Sequence, residues 1–249
     1  MKIAIISDIH GNAFALDTVI GDLKREPVDQ IVCLGDAIQG GAQPAQTVAR
    51  LRELGCPVVM GNADAFLLSG VETGAEAPTE ARKRMLDTVR EWSLTQLSDE
   101  DKAFIAGFQP TVTIPLEDGR NLLCFHGSPT SFDEIILPTT PEDEFQAIFA
   151  AHLPSLVTGG HTHLQQIRPI GRTDSFFFNP GSVGFAYSHE QPEGTFHANS
   201  WAEYAVLNVI QGRITLEFRR VAYDAKVLIE IYRTSGRPYA DDAIAQYQR

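Results

Sequence analysis

Short apolar runs alternate with amphipathic stretches along the N-terminal part of the chain. Residues 3–7 and 31–34 are continuous apolar runs, as in strands that are buried on both faces. The stretch after the first run has apolar residues at helical spacing, and Asn12 can cap its first turn. Residues 44–54 predict a second helix and residues 57–60 a third strand. Strand, loop and helix repeated in this order are typical of an α/β core with parallel strands.

The pattern is helical over residues 65–108 and rich in strands after that. Residues 112–116 and 121–125 predict a hairpin around the turn sequence Glu117-Asp118-Gly119. Further elements are predicted as a helix over 142–152, strands over 156–157, 176–179, 203–210 and 214–220, and two short helices after Tyr223. We therefore expect one α/β domain over residues 1–249, a four-layer αββα sandwich in which helices flank two packed mixed sheets. Residues 65–108 are expected to be a small helical insertion within it.

Charge narrows the possible partners. The chain has 249 residues and a formal net charge of −12, with no run rich in lysine or arginine. A face that binds duplex nucleic acid needs clustered positive charge against the phosphates, so no such binding is expected. A small phosphorylated substrate is compatible with the acidic balance if a bound cation reverses the local potential.

The cysteines and the lengths of the apolar runs favour a location in the reducing cytoplasm. Cys33, Cys56 and Cys124 lie in or beside apolar runs without Cys-x-x-Cys spacing, which favours reduced core thiols over disulfides or a structural zinc site. The N-terminal apolar run is too short for a signal peptide, and no stretch approaches the ~20 apolar residues of a membrane helix. We expect a soluble, cytoplasmic protein without a membrane partner; homo-oligomerisation is left open.

Metal-binding residue types follow five of the predicted strands. They are Asp8 and His10, Asp36, Asn62, His126, and His161 with His163. Each segment alone has an ordinary explanation, since Gly-Asp is common in turns, Asn62 could cap a helix and His126 could be a core imidazole. Together, however, the segments hold four of the chain's seven histidines. Ligands gather at the carboxyl ends of strands in α/β sheets, so the five segments are expected to meet in one pocket.

The order Asp-x-His, Gly-Asp, Gly-Asn, His and Gly-His-x-His resembles the motif order of the calcineurin-like metallophosphoesterase superfamily. Residues 179–183, Asn-Pro-Gly-Ser-Val, are similar to a loop of its small prokaryotic phosphodiesterase branch. The resemblance implies one metal on Asp8, His10 and His163, a second on Asn62, His126 and His161, and a bridge from Asp36. It also implies that the catalytic residues include Asp36, Asn62 and His161.

The implied cofactors are two divalent metal ions. Carboxylate, amide and imidazole donors suit Mn²⁺, which we expect first, or Fe, Zn²⁺ or Ni²⁺. Two such cations roughly 3.5–4 Å apart can share a hydroxide as nucleophile and hold the phosphoryl oxygens for in-line attack. The implied function is hydrolysis of phosphate esters, with a phosphodiester as the favoured substrate. A protein (Ser/Thr) phosphatase and a non-catalytic metal-binding scaffold are the alternatives.

Two positions depart from the pattern of many relatives. Where they carry histidine after the asparagine, this chain has Ala63. Losing a general acid costs on the order of 10²–10⁴ in rate, most for poor leaving groups, so diesters or aryl phosphates should be cleaved better than unactivated monoesters. His189 or His197, from a later loop, could supply an acid, although exposed loop histidines are common. Relatives often carry arginine after the Asn-Pro-Gly-Ser loop, where this chain has Phe185, Ala186 and Tyr187.

Overall fold

The computed structural model describes residues 1–72, 77–152, 156–192 and 194–248, and these contain nine strands and eight helices. The strands are β1 (Lys2–Ile6), β2 (Gln30–Cys33), β3 (Val112–Pro115), β4 (Asn121–Cys124), β5 (Leu156–Thr158), β6 (Gln166–Pro169), β7 (Phe176–Asn179), β8 (Trp201–Ile210) and β9 (Arg213–Ala222). The helices are α1 (Ala13–Arg25), α2 (Pro44–Leu54), α3 (Asn62–Ser69), α4 (Glu80–Gln96), α5 (Asp99–Ala106), α6 (Glu142–Phe149), α7 (Ala225–Ser235) and α8 (Ala240–Ala245).

The strands form two mixed sheets. The first sheet has the order β2-β1-β8-β9, in which β1 and β2 are parallel and the other pairs are antiparallel. The second has the order β3-β4-β5-β7-β6, in which β4, β5 and β7 are parallel and the two edge strands are antiparallel. The parallel strands of both sheets end on polar loops, and these loops carry the predicted metal-binding side chains except Asn62, which begins α3.

Three apolar clusters separate four layers, which confirms the predicted αββα sandwich. The cluster between the sheets takes Ile5 and Leu207 from the first sheet and Leu122 from the second. Alternate residues of the same strands face outward, because successive side chains of a strand point to opposite faces. They pack against α1 and α2 on one side and against α6 on the other, where Phe125 and Phe149 meet.

Helices α3, α4 and α5 occupy the region predicted as an insertion, of which residues 73–76 lie outside the described residues. Thr79 caps α4, and Ser98 forms a capping box with Asp101 at the start of α5. Among the described residues, none of the helices is both long and apolar enough to span a bilayer. All three cysteines are free thiols, as predicted.

Two strand predictions were wrong. Residues 57–60 make only isolated parallel bridges, Val58 to Cys33 and Val59 to Gln109. The segment cannot extend into a ladder because Gly55 ends α2 just before it and Gly61 starts α3 just after it. The other error is β6, an unpredicted strand that pairs antiparallel with β7 and carries too few apolar residues to show alternation.

Candidate metal centre

The predicted metal-binding side chains form two clusters. Asp8, His10 and His163 make the first, and Asp36, His126 and His161 make the second; in each, one donor atom per residue lies within 4.8 Å of the others. Asn62 joins the second cluster, with its Oδ1 atom 3.0 Å from His126 Nε2. The two sheets contribute jointly, because Asp8 and Asp36 follow β1 and β2 whereas His126 and His161 follow β4 and β5.

The Asp36 carboxylate lies between the two clusters. Its Oδ2 atom is 3.3 Å from His126 Nε2 and 3.8 Å from His10 Nε2. Its other oxygen, Oδ1, accepts a 2.8 Å hydrogen bond from the Ala63 backbone N–H. That bond fixes the carboxylate and leaves Oδ2 directed toward both sets of donors.

Backbone carbonyls set the tautomers of the imidazoles. Nδ1 of His10 donates to the Gln39 carbonyl at 3.0 Å, and Nδ1 of His163 donates to the Phe185 carbonyl at 2.7 Å. In the neutral rings, Nε2 therefore carries a lone pair. These two Nε2 atoms are 3.0 Å apart, so two acceptors face each other unless a proton or a cation lies between them. In metalloproteins, a hydrogen bond donated by the ring nitrogen that does not bind the metal orients histidine ligands in the same way.

The second cluster has the same arrangement. His126 is fully buried, and its Nδ1 donates to the Leu34 carbonyl at 2.8 Å. Its Nε2 thus faces Asn62 Oδ1 and Asp36 Oδ2, which are both acceptors. In the first cluster, Asp8 Oδ1 is buried without a hydrogen-bond partner and lies 3.3 Å from His163 Nε2.

The pKa values indicate how strongly this cavity favours positive charge. Burial alone would lower the pKa of His126, but the Asp36 and Asp8 carboxylates raise it to about 10. Burial would likewise raise the pKa of Asp36, whereas His126 and His10 hold it well below its ordinary value. In the absence of metal, protons therefore compensate the carboxylates, and a bound cation would displace them.

These observations fit a pair of divalent cations. Unpartnered buried oxygens and converging imidazole lone pairs are the donors such ions take, and carboxylate mixed with nitrogen suits Mn²⁺, Fe or Zn²⁺. The cysteines offer no competing thiolate site, because burial raises the pKa of Cys33 well above its ordinary value and that of Cys56 to about 11.

The backbone is strained at the same positions. Seven of the described non-glycine residues have positive φ, and five of them belong to the clusters: Asp8, His10, Asp36, His161 and His163, with φ between 47° and 67°. Residues other than glycine rarely adopt this left-handed conformation. Strained residues concentrate at functional sites because the surrounding structure holds them there. The tight turns point each donor inward from its strand end.

Asp64 supports the centre, and its role was not predicted from the sequence. It is fully buried in the first turn of α3, and its Oδ1 accepts hydrogen bonds from the N–H groups of Ala37 (3.1 Å) and Ile38 (3.0 Å). Burial, together with the nearby Asp36 carboxylate, raises the pKa of Asp64 to about 7. Asp64 thus holds the turn that carries Asp36.

The loop over residues 179–183 supports the other side. Nδ2 of Asn179 donates to the Gly160 carbonyl at 2.6 Å and to Thr162 Oγ1 at 3.1 Å, which fixes the turn bearing His161 and His163. The Ser182 hydroxyl donates to the Asp8 carbonyl at 2.8 Å. The sequence marked this loop only through its resemblance, because bonds to distant backbone leave no local pattern.

A cavity of about 370 Å³ opens onto the centre. His10, Asp36, His161 and His163 line it together with residues of α4 and of the C-terminal segment. Ala63, at the position where the resemblance implies histidine in many relatives, lines the same cavity as the candidate metal ligands. Beside it, Phe185 packs edge-on against His163, with 5.9 Å between ring centroids.

The remaining sequence candidates lie elsewhere. Asn12 caps α1 through Oδ1 and donates through Nδ2 to the Gly184 carbonyl, so its side chain is engaged within the protein. His189 and His197 are both exposed and do not line the cavity. The ring of His189 stacks on Tyr187, and its Nε2 lies 2.8 Å from the Thr162 carbonyl.

Comparisons with known proteins agree with this geometry. Residues 1–208 match the family model of the calcineurin-like phosphoesterase superfamily domain. The chain is 27% identical over 243 residues to the uncharacterized protein MJ0912 of Methanocaldococcus jannaschii, covering 92% of this chain and 90% of that protein. It shares its fold with a metallophosphoesterase from Sphaerobacter thermophilus (TM-score 0.70, 23% identity, 98% of each chain). The hypothetical protein PH1004 from Pyrococcus horikoshii also shares it (TM-score 0.78, 18% identity, 99% of this chain and 98% of that one).

Proposed function

Because the chain belongs to the calcineurin-like phosphoesterase superfamily, we propose that it is a phosphodiesterase that uses two divalent cations. The observation that carries the proposal is the position of Asp36 Oδ2, 3.3 Å from His126 Nε2 and 3.8 Å from His10 Nε2. A carboxylate in that position suits two cations at once. When bound, such a pair supplies an activated hydroxide as nucleophile and neutralises charge on the phosphoryl oxygens.

The residues of the chain have separate tasks in this proposal. One cation would be held by Asp8, His10 and His163, the other by Asn62, His126 and His161, and Asp36 would contact both. The carbonyls of Gln39, Leu34 and Phe185 keep the imidazole lone pairs directed at the cations. Mn²⁺ is the metal that we expect first, on the donor set alone.

The preference for diesters follows from the cavity wall beside the centre. Ala63 offers only a methyl group there, and the exposed His189 and His197 do not line the cavity. The leaving oxygen therefore has no imidazole to protonate it from these positions. A phosphodiester with an aryl leaving group needs little protonation, whereas an alkyl monoester such as serine phosphate needs most.

The test is cleavage of bis-nitrophenyl phosphate and of serine phosphate with added Mn²⁺, with and without chelator. We expect metal-dependent turnover and a higher kcat/KM for the diester. Asp36→Asn should lose at least one metal by elemental analysis and nearly all turnover. Asp17→Asn, an exposed carboxylate that pairs with Arg50 outside the centre, is the matched control and should keep both.

Two other outcomes would replace the proposal. If no phosphoester is cleaved although both metals are bound, the protein is a metal-binding scaffold. If a phosphopeptide panel is cleaved faster than any diester, it is a protein phosphatase. Faster cleavage of serine phosphate than of the nitrophenyl diester would refute the preference inferred from Ala63.

A further inference from the structure

The cavity above the metal centre has a second wall that the proposed hydrolysis does not use. Helix α4 contributes Arg82, and the segment between α7 and α8 contributes Arg237 and Tyr239. At about 370 Å³ the cavity lies in the size range of small-molecule sites, which is more than one phosphoryl group fills. A substrate held at the metals would therefore extend toward these two arginines.

Arg237 is fixed in place by backbone carbonyls. Its Nε donates to the Gly40 carbonyl at 2.7 Å, and its Nη1 donates to the carbonyls of Pro238 (2.8 Å) and Tyr239 (3.1 Å). The guanidinium also lies over the Tyr232 ring, 5.6 Å from its centroid. In the described part of the chain, no group accepts a hydrogen bond from Nη2. A planar cation held rigidly with one donor group to spare is suited to bind an oxyanion.

The position of Gly40 places this cation close to the metal centre but outside it. A Cβ atom added to Gly40 would lie 3.6 Å from His10 Nδ1, so the residue that anchors Arg237 lies beside a candidate ligand. Arg237 itself belongs to neither donor cluster. An anion bound to it would thus be a neighbour of the reacting phosphoryl group.

Arg237 makes no ion pair with the described residues, although the protein is acidic overall. Acidic residues outnumber basic ones by 32 to 20, yet no ion pair found among residues 1–72, 77–152, 156–192 and 194–248 includes Arg237. Burial lowers the pKa of its guanidinium, and the neighbouring Arg82 charge acts in the same direction; Asp242 acts against it. Arg237 therefore faces the cavity as a cation without an ion pair of its own, although Asp242 lines the same cavity, and such a cation favours an anionic ligand.

We propose that Arg237, assisted by Arg82, binds a second anionic group of the substrate, such as a phosphate carried by the same alcohol as the scissile ester. This inference rests on the proposed function and narrows its substrate class to esters with two anionic groups.

The test compares the nitrophenyl ester of thymidine 5′-phosphate with the same ester bearing a 3′-phosphate. In the wild type we expect kcat/KM to be about tenfold higher for the phosphorylated ester, which is the effect of one charged hydrogen bond. Arg237→Gln should reduce that ratio to about one, chiefly through KM, and Arg82→Gln should reduce it in part. Arg233→Gln is the control, because Arg233 lies on α7, pairs with Glu230 and does not line the cavity.

A second readout keeps the test independent of turnover and of folding. Calorimetric titration with thymidine 3′,5′-bisphosphate should show about tenfold weaker binding to Arg237→Gln than to the wild type. If Arg237→Gln fails to fold by circular dichroism, Arg237→Lys and Arg82→Gln carry the same comparison. Equal kcat/KM for both esters in the wild type, or equal losses for both in Arg237→Gln, overturns the inference. Absence of metal-dependent turnover on either ester overturns the proposed function instead.

Discussion

Asp64 offers the sharpest test of how the centre is held together. Its side chain accepts from the N–H groups of Ala37 and Ile38 at 3.0 to 3.1 Å, and it is fully buried. Asp64→Ala removes both bonds and leaves two buried donors without acceptors. Above its pKa of about 7 the Asp64 side chain is charged, and at such a pH hydrogen bonds to a charged group contribute about 1.5–3 kcal/mol each, while each unsatisfied donor adds a penalty. Removing a buried carboxylate beside Asp36 offsets part of this loss.

We therefore expect Asp64→Ala to lower the free energy of unfolding by about 3 kcal/mol. Asp64→Asn should lose less, about 1 kcal/mol, because an amide oxygen at the Oδ1 position still accepts from both N–H groups. Its amide nitrogen would then face the Ala37 nitrogen at the 3.0 Å now spanned to Oδ2, which places donor against donor. The order of stability should be wild type, Asn, Ala.

The assay is urea unfolding of the metal-free protein in chelator, followed by tryptophan fluorescence and fitted with a common m-value. Asp17→Ala is the control, since an exposed ion pair such as Asp17–Arg50 contributes roughly 0–1 kcal/mol. Metal titration should show weakening by about 10- to 100-fold in Asp64→Ala, as for other residues that orient ligands. Equal stability of Asp64→Ala and the wild type, or of the Asn and Ala variants, would contradict this explanation.

Further predictions concern the cavity, the ligand turns and the metals. Ala63→His should raise phosphate release from serine phosphate about tenfold or more by supplying a general acid; unchanged release would show that this position does not reach the leaving oxygen. Gly160→Ala should lose bound metal by elemental analysis, because its Cβ would lie 2.1 Å from Ser7 Oγ and 2.8 Å from Asp8 Oδ2; full metal content in the folded variant argues against that clash. Asn179→Ala should cost about 2 kcal/mol in urea unfolding and weaken metal binding; loss of stability alone would limit Asn179 to a structural role. Removing the metals with chelator should lower the Tm, since a ligand at 100 times its Kd stabilises by about 2.7 kcal/mol; an unchanged Tm would mean that the folded state does not bind them.

Much of the fold could be predicted because some of its central strands, such as β1 and β5, are buried on both faces. Continuous apolar runs marked β1 and β2, and the turn at Gln211 and Gly212 separated β8 from β9; both turn residues have positive φ. The strand β6 could not be predicted, since two of its four residues are polar or charged and a third is proline. The false strand at residues 57–60 is extended as predicted, but its neighbours leave no room for a ladder.

In the candidate centre, the metal-binding residues could be predicted from the sequence, but the residues that support them could not. Metal-binding side chains are drawn from a few residue types, and most of the candidates here directly follow strands, so their types and spacing were visible in the sequence. Asp64 and Asn179 bind backbone groups of remote turns, and such contacts impose no spacing on the sequence. Arg237 lies 197 positions after Gly40 in the sequence. The packing of the C-terminal helices brings it to the cavity, and no local pattern indicates that packing.

The left-handed backbone of five candidate ligand residues has a consequence for how this protein could change over time. Each such residue costs about 1–2 kcal/mol relative to glycine, which adopts the conformation freely. A substitution such as Asp36→Gly would relieve that backbone cost, but it would abolish the donor and leave the Ala63 N–H without its acceptor. In a copy of the gene that is not selected for turnover, the positive φ at these turns would favour substitutions to glycine or asparagine. Under the proposed function, the two aspartates and three histidines found there keep a backbone cost in exchange for metal binding.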